Sequence, residues 1–231
     1  MSVLILCYHT INKNGKITPE IFEENLFSLK KKNYSSASLD AIFNYISGKK
    51  ELSERTVHLT FDDGYRDNYF QAFPILKKFN FKATIFLITS RISMLGYLNW
   101  QQIKEMESSG IFSFESHSHT HPRYSTSQPT KAELIGDLLT SKRIIKENLE
   151  KEPKHFCYPY GEYDNLYVSA LKEAGFLTGL TLNIGLNATG QNPYLLKRVE
   201  VRKPKNWLKK RLRIYSKPFI SNIYEKIYRK I

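Results

Sequence analysis

The 231-residue chain is expected to fold as an α/β protein, an incomplete (β/α)7-type barrel of parallel strands. Short apolar runs of strand length alternate with amphipathic helical segments along its whole body, which argues for a parallel sheet covered by helices. About seven such repeats suggest a barrel that does not fully close rather than an open sheet. Its chemically distinctive residues fall at the ends of strands, where such folds gather their sites.

Val3–Tyr8 reads as the first strand. Pro19–Lys32 follows as a helix with Thr18 as its cap and Pro19 at its first position. Ser38 caps a short helix ending near Ser47, Thr56–Phe61 is the second strand, Tyr69–Asn80 is helical, and Ala83–Thr89 is the third strand. Asn99 caps a helix that Gly110 stops, and Ile111–Glu115 is a strand. Thr130–Leu149 is the longest helix, with Leu134, Leu138, Ile145 and Leu149 on one face. His155–Tyr158, Phe176–Leu182 and Leu195–Val201 are the remaining strands, with a helix over Asn165–Ala174 stopped by Gly175.

Composition narrows the function. Hydrophobic residues make up 41% of the chain, enough for one sizeable core. Its two cysteines, Cys7 and Cys157, match no zinc spacing, and each sits in an apolar stretch that reads as a buried strand. They are expected to be buried thiols of a reducing compartment. MSVLILCYHT has no basic n-region and too short an apolar run for a secretory signal, and no run suits a spanning helix. The expected location is cytoplasmic. The net charge is +13, of which residues 203–231 carry +9, so the basicity belongs to a tail appended to a nearly balanced body over 1–202.

Two segments carry chemistry. Thr60-Phe61-Asp62-Asp63-Gly64 follows a strand directly. Adjacent strand side chains point to opposite faces, so two carboxylates sharing a task must lie where the strand ends, and Gly64 permits the turn. A cation would relieve their mutual repulsion; taken alone, Asp-Asp-Gly equally suits an ordinary strand-ending turn. His117-Ser118-His119-Thr120-His121-Pro122 also follows a strand. It concentrates three of the chain's six histidines, and two imidazoles with a carboxylate form an open metal set.

With LTFDDG at 59–64, HSHTHP at 117–122 and YPYG at 158–161, residues 3–201 resemble the polysaccharide deacetylase family of carbohydrate esterases (family four). LILCYHTI at 4–11 is similar to the first strand of its permuted poly-N-acetylglucosamine deacetylase branch. The resemblance implies a metal-dependent hydrolase that removes an acetyl group from an N-acetylated sugar. Asp63, His117 and His121 would hold the metal, Asp62 would be the base toward a metal-activated water, and His119 would not ligate. Tyr160 would line the substrate groove and offer its backbone N–H to the oxyanion, and His9 would be the acid. Zinc is the expected ion, with cobalt, nickel or iron also compatible.

The family's third motif usually carries an Arg where Cys157 stands. Arg198 is the candidate to orient Asp62 in its place, ahead of Arg202, while His58 and His155 read as structural. An O-acetyl esterase, a deformylase or another amide hydrolase could use the same site. A non-catalytic glycan-binding module would have no need of a base beside a metal. The tail interleaves aromatic and aliphatic residues with Lys and Arg, which suits an anionic membrane surface and points to a lipid-linked glycan precursor as substrate. Packing onto the body and nucleic-acid binding are the alternatives, the latter without a recognised motif.

Overall fold

The computed structural model describes residues 2–204 and 206–215. The strands are β1 (Leu4–Tyr8), β2 (Ser35–Ser36), β3 (Thr56–Phe61), β4 (Ala83–Leu87), β5 (Phe112–Ser116), β6 (His155–Cys157), β7 (Thr178–Leu180) and β8 (Val199–Glu200). Between and after them run helices α1 (Pro19–Lys31), α2 (Leu39–Ile46), α3 (Phe73–Phe79), α4 (Trp100–Ser108), α5 (Tyr124–Ser127), α6 (Lys131–Leu149), α7 (Asn165–Glu173) and α8 (Trp207–Tyr215).

The named strands pair in parallel in the order β7-β6-β5-β4-β3-β1-β8, with the short β2 added beside β3. A parallel bridge between Leu180 and Leu196 links the segment before β8 to β7. Seven strands therefore form the expected incomplete barrel. β1 lies between β3 and β8, so the first strand of the chain occupies a late position in the sheet.

Period-two alternation decides which residues face inward. Val3 and Ile5 join Phe86, Cys157, Leu180 and Leu196 in one cluster, together with the apolar face of α2. Leu4, Leu6 and Tyr8 belong instead to the large cluster under the outer helices, with Val57, Leu59 and Phe61 of β3. The alternate residues of β3, His58, Thr60 and Asp62, are thereby directed to the barrel interior, where His58 Nε2 meets Thr84 Oγ1 at 3.1 Å.

Caps at Thr18, Ser38 and Asn99 set helix starts as expected, and Thr130, expected as the first helical residue, caps α6 instead. The helix expected over Tyr69–Asn80 is wound differently at its start. Asn68–Ala72 is a π turn, and α winding begins only at Phe73, beside Pro74, which has no N–H to donate. The two last strands are shorter than expected, because Leu196 makes only an isolated bridge before Arg198 and Val199.

The first part of the basic tail is α8. Leu208, Leu212 and Tyr215 are buried and belong to the same core cluster as Phe22 and Leu26 of α1. Among the described residues no helix is long and apolar enough to cross a membrane. Residues 216–231, where the continuing apolar stripe is expected, lie outside the described residues.

Candidate metal and acid–base site

Asp62 follows the last residue of β3, and its N–H donates to the Tyr8 carbonyl at 3.0 Å, so the pairing with β1 persists through it. Asp63 then takes φ of +73° and Gly64 of +78°. That left-handed step removes the alternation problem of adjacent carboxylates, because Asp63 no longer continues the strand. A Cβ on Gly64 would also approach Leu87 Cδ2 to 2.9 Å. Ser118, His121 and Tyr160 have positive φ as well. Four of the nine such non-glycine residues described thus belong to this one region, the clustering of backbone strain expected where geometry serves chemistry.

Asp63 Oδ1 lies 3.5 Å from His117 Nε2 and 3.6 Å from His121 Nε2, and the two Nε2 atoms are 3.2 Å apart. Ligand bonds of about 2.0–2.1 Å in a tetrahedron place donors about 3.3–3.4 Å apart. The triangle therefore fits a divalent ion with its fourth position open. His117 Nδ1–H donates to the Cys157 carbonyl at 2.7 Å, which leaves the Nε2 lone pair facing the triangle. His121 is held otherwise: its backbone N–H donates to Ser118 Oγ at 2.8 Å and its ring lies 4.7 Å from that of Tyr160. Burial pushes both imidazoles down to about 4, the neutral state a ligand requires. Burial and then Asp62 push the Asp63 carboxyl up, an opposition that a cation would relieve.

His119 turns away from the triangle, its Nδ1 2.9 Å from Thr89 Oγ1. Asp137 of α6 holds this loop by accepting from the backbone N–H groups of His119 and Thr120.

Asp62 is 2% exposed. Arg198 Nη1 and Nη2 donate to its Oδ1 and Oδ2 at 2.7 and 2.8 Å, the bidentate fork that a guanidinium forms best. Burial alone would raise this carboxyl, but the charge and hydrogen bonds of Arg198, together with His117 and His9, outweigh it and hold Asp62 well below the usual carboxylate range. Arg202, the other candidate, points outward to Glu200 at 3.0 Å. His58 and His155 are buried in the barrel interior and bond to Ala37 and Thr178.

The thiols of Cys7 and Cys157 both approach Asp62 Oδ2 at 3.5 Å, and Cys157 Sγ accepts from Arg198 Nη2 at 3.0 Å. Both cysteines are free and buried. The position where an Arg was expected thus holds a small group that makes room for the guanidinium of Arg198. His9 Nε2 lies 3.9 Å from the same Oδ2, with its side chain 38% exposed.

Beyond Tyr160, sequence reasoning missed the aromatic and cationic rim. Tyr65 hydrogen-bonds Asp63 and stacks on Tyr97 at 5.2 Å, and Arg91 donates to the Tyr97 hydroxyl at 2.8 Å. On the other side Arg123 lies 4.4 Å over the ring of Tyr160, which is 46% exposed. Tyr65, directly after Asp-Asp-Gly, was the one member legible from position alone.

Comparison with known proteins places these features in context. The polysaccharide deacetylase family model matches residues 49–179, a span that holds Asp62, Asp63, His117 and His121 but neither His9 nor Arg198. YxkH of Bacillus subtilis, whose name places it among polysaccharide deacetylases, is 32% identical over 199 residues, covering 85% of this chain and 70% of that protein. The poly-beta-1,6-N-acetyl-D-glucosamine N-deacetylase of Staphylococcus aureus is 29% identical over 198 residues, 81% of this chain and 68% of its own. The solved structure of the Streptococcus pyogenes deacetylase PplD superposes with a TM-score of 0.84 at 26% identity, covering 92% of this chain and 97% of that one.

Proposed function

Since the chain belongs to the polysaccharide deacetylase family, we propose that it hydrolyses the acetamido group of an N-acetylated sugar within a glycan or a lipid-linked glycan precursor. The observation that carries this reading is one constellation. A His–His–Asp triangle of 3.2–3.6 Å sits beside a second, ionised carboxylate clamped by a buried arginine. The Staphylococcus relative's named substrate supports the choice of N-acetylglucosamine.

Asp63, His117 and His121 hold a divalent metal, with zinc the ion that a two-imidazole, one-carboxylate set favours. Bound there, the ion supplies Lewis-acid polarisation of the acetyl carbonyl and acidifies water. Asp62 receives the proton of the attacking water; Arg198 keeps it ionised and aimed, so no rotamer search precedes the transfer. His9, its Nε2 3.9 Å from Asp62 Oδ2, is the group to protonate the departing amine. The backbone N–H of Tyr160, in its left-handed turn, serves the oxyanion, and its exposed ring lines the groove.

Acetate release from N-acetylglucosamine oligomers tests the reading. Full activity after exhaustive chelation, or in Asp62→Asn, would refute it. Elemental analysis of the purified protein decides between zinc and its competitors.

A further inference from the structure

Cys7, His9 and Asp62 form a second group of donors, with ligand atoms within 4.8 Å of one another. It shares no residue with the triangle of Asp63, His117 and His121. A further group, Asp62, His117 and Cys157, reuses His117. Of these two, only the first can fill while the triangle is occupied. The geometry points to a second, inhibitory metal site at Cys7, His9 and Asp62 for a thiophilic divalent ion, zinc in excess or cadmium. That its occupation stops turnover rests on the deacetylase reading above; the binding itself does not.

A thiolate, an imidazole and a carboxylate suit zinc and its softer relatives, whereas magnesium and calcium prefer oxygen alone. With metal–sulfur bonds of about 2.3 Å and metal–nitrogen or metal–oxygen bonds of about 2.0–2.1 Å, a tetrahedral ion sets sulfur about 3.6 Å and nitrogen about 3.4 Å from a ligating oxygen. Cys7 Sγ already lies 3.5 Å from Asp62 Oδ2. His9 Nε2, at 3.9 Å, has about half an ångström to close to reach that spacing, and its side chain is 38% exposed. A cavity of about 280 Å³ between the loop after β1 and the end of β8 has Cys7 and His9 in its lining and gives an ion a way in. Two features keep this site weaker than the triangle. Burial pushes the Cys7 thiol well up, so the ion must displace a firmly held proton, which leaves to solvent. Arg198 also sets its positive charge against both Asp62 oxygens. The first ion therefore goes to the triangle, and the second binds only in excess. Once there it occupies Asp62 Oδ2 and His9 Nε2, the two atoms on which proton transfer depends.

The test starts from enzyme carrying one zinc per chain and adds zinc or cadmium. The triangle contains no sulfur, so the ultraviolet charge-transfer absorption of a cadmium–thiolate bond reports a site outside it. Wild type and Cys157→Ser should gain that absorption to one thiolate per chain and lose acetate release in parallel. Cys7→Ser and Cys7→Ala should show neither at metal concentrations that saturate wild type. Their inhibition constants should rise by more than the roughly 10–100-fold that loss of an outer-shell partner costs. Each variant is read against its own one-zinc activity, and the retained zinc shows that it is folded. His9→Gln, at a partly exposed side chain, should keep the absorption but need about tenfold or more cadmium to reach it. Absorption that persists in both Cys7 variants or disappears in Cys157→Ser overturns the site, as does inhibition equal in wild type and the Cys7 and His9 variants. If one-zinc wild type releases no acetate, the deacetylase reading fails, while the cadmium absorption still decides whether the site exists.

Discussion

Arg198 and Asp62 are 136 residues apart in sequence and form a bidentate pair with almost no exposure. Removing one member of such a pair strands a charge in the interior, at a cost of about 3–5 kcal/mol. Arg198→Ala should therefore lower unfolding stability by about that amount in urea titrations. Because Arg198 depresses the Asp62 pKa, its loss raises it, and the acid limb of the kcat/KM profile should move to higher pH. Arg198→Lys keeps the charge but not the fork and should recover part of the stability and less of the rate. An acid limb that stays in place in Arg198→Ala would contradict the orienting role. The motif residues were legible because the carboxylates are adjacent in sequence and the histidines nearly so. Cys7 and Cys157 were legible only as buried strand residues. Their meeting at one carboxylate oxygen depends on the strand order, which places β1, β3 and β6 around a common interior.

Element by element, α8 changes how the basic tail is understood. Its sequence, WLKKRLRIY, combines a basic face with an apolar one, and periodicity alone does not say whether lipid or protein covers the apolar face. Here Leu208, Leu212 and Tyr215 meet the core beneath α1. Leu212→Ala should cost about 2–5 kcal/mol in unfolding stability, whereas Lys209→Ala and Lys210→Ala, on its exposed side, should stay within about 0.5 kcal/mol. Membrane association is then best sought in the residues beyond α8. Cosedimentation with anionic vesicles should fall in a chain ending at residue 215 relative to full length, and equal binding of the two would remove the tail's membrane role. A chain ending at 202 would lose α8 and confuse the two effects. The π turn before α3 was illegible for a related reason: apolar spacing marks a helical segment, while Pro74 and the tertiary position of Asn68 decide its winding.

At the scale of the whole molecule, polar and ionisable groups in the barrel make stability depend on pH. Burial lowers His58, His117 and His121 to about 4 from about 6.5 when unfolded. Over that window the unfolded chain binds more protons, so stability rises with pH and is lost as pH falls from about 6.5 toward 4. Asp62 acts in the same direction below the ordinary carboxylate range. The metal-free protein should accordingly show a lower Tm at pH 5 than at pH 7, and an unchanged or higher Tm would contradict the burial of these neutral imidazoles. The barrel itself was legible from the alternation of strands and helices; the place of β1 between β3 and β8 was implied only by the resemblance of residues 4–11 to the permuted branch, since local patterns carry no strand order. It is this place that brings His9 to Asp62 and opens the cavity beside them. The central claim is a single metal-dependent centre built by Asp63, His117 and His121 with Asp62 as its base. Its most direct test measures bound divalent metal and acetate release together in wild type, His117→Ala and Asp62→Asn. The account predicts one ion per chain and turnover in wild type, neither in His117→Ala, and a bound ion with turnover reduced about 10²–10⁴-fold in Asp62→Asn. Wild-type turnover in His117→Ala after complete removal of divalent metal would contradict it.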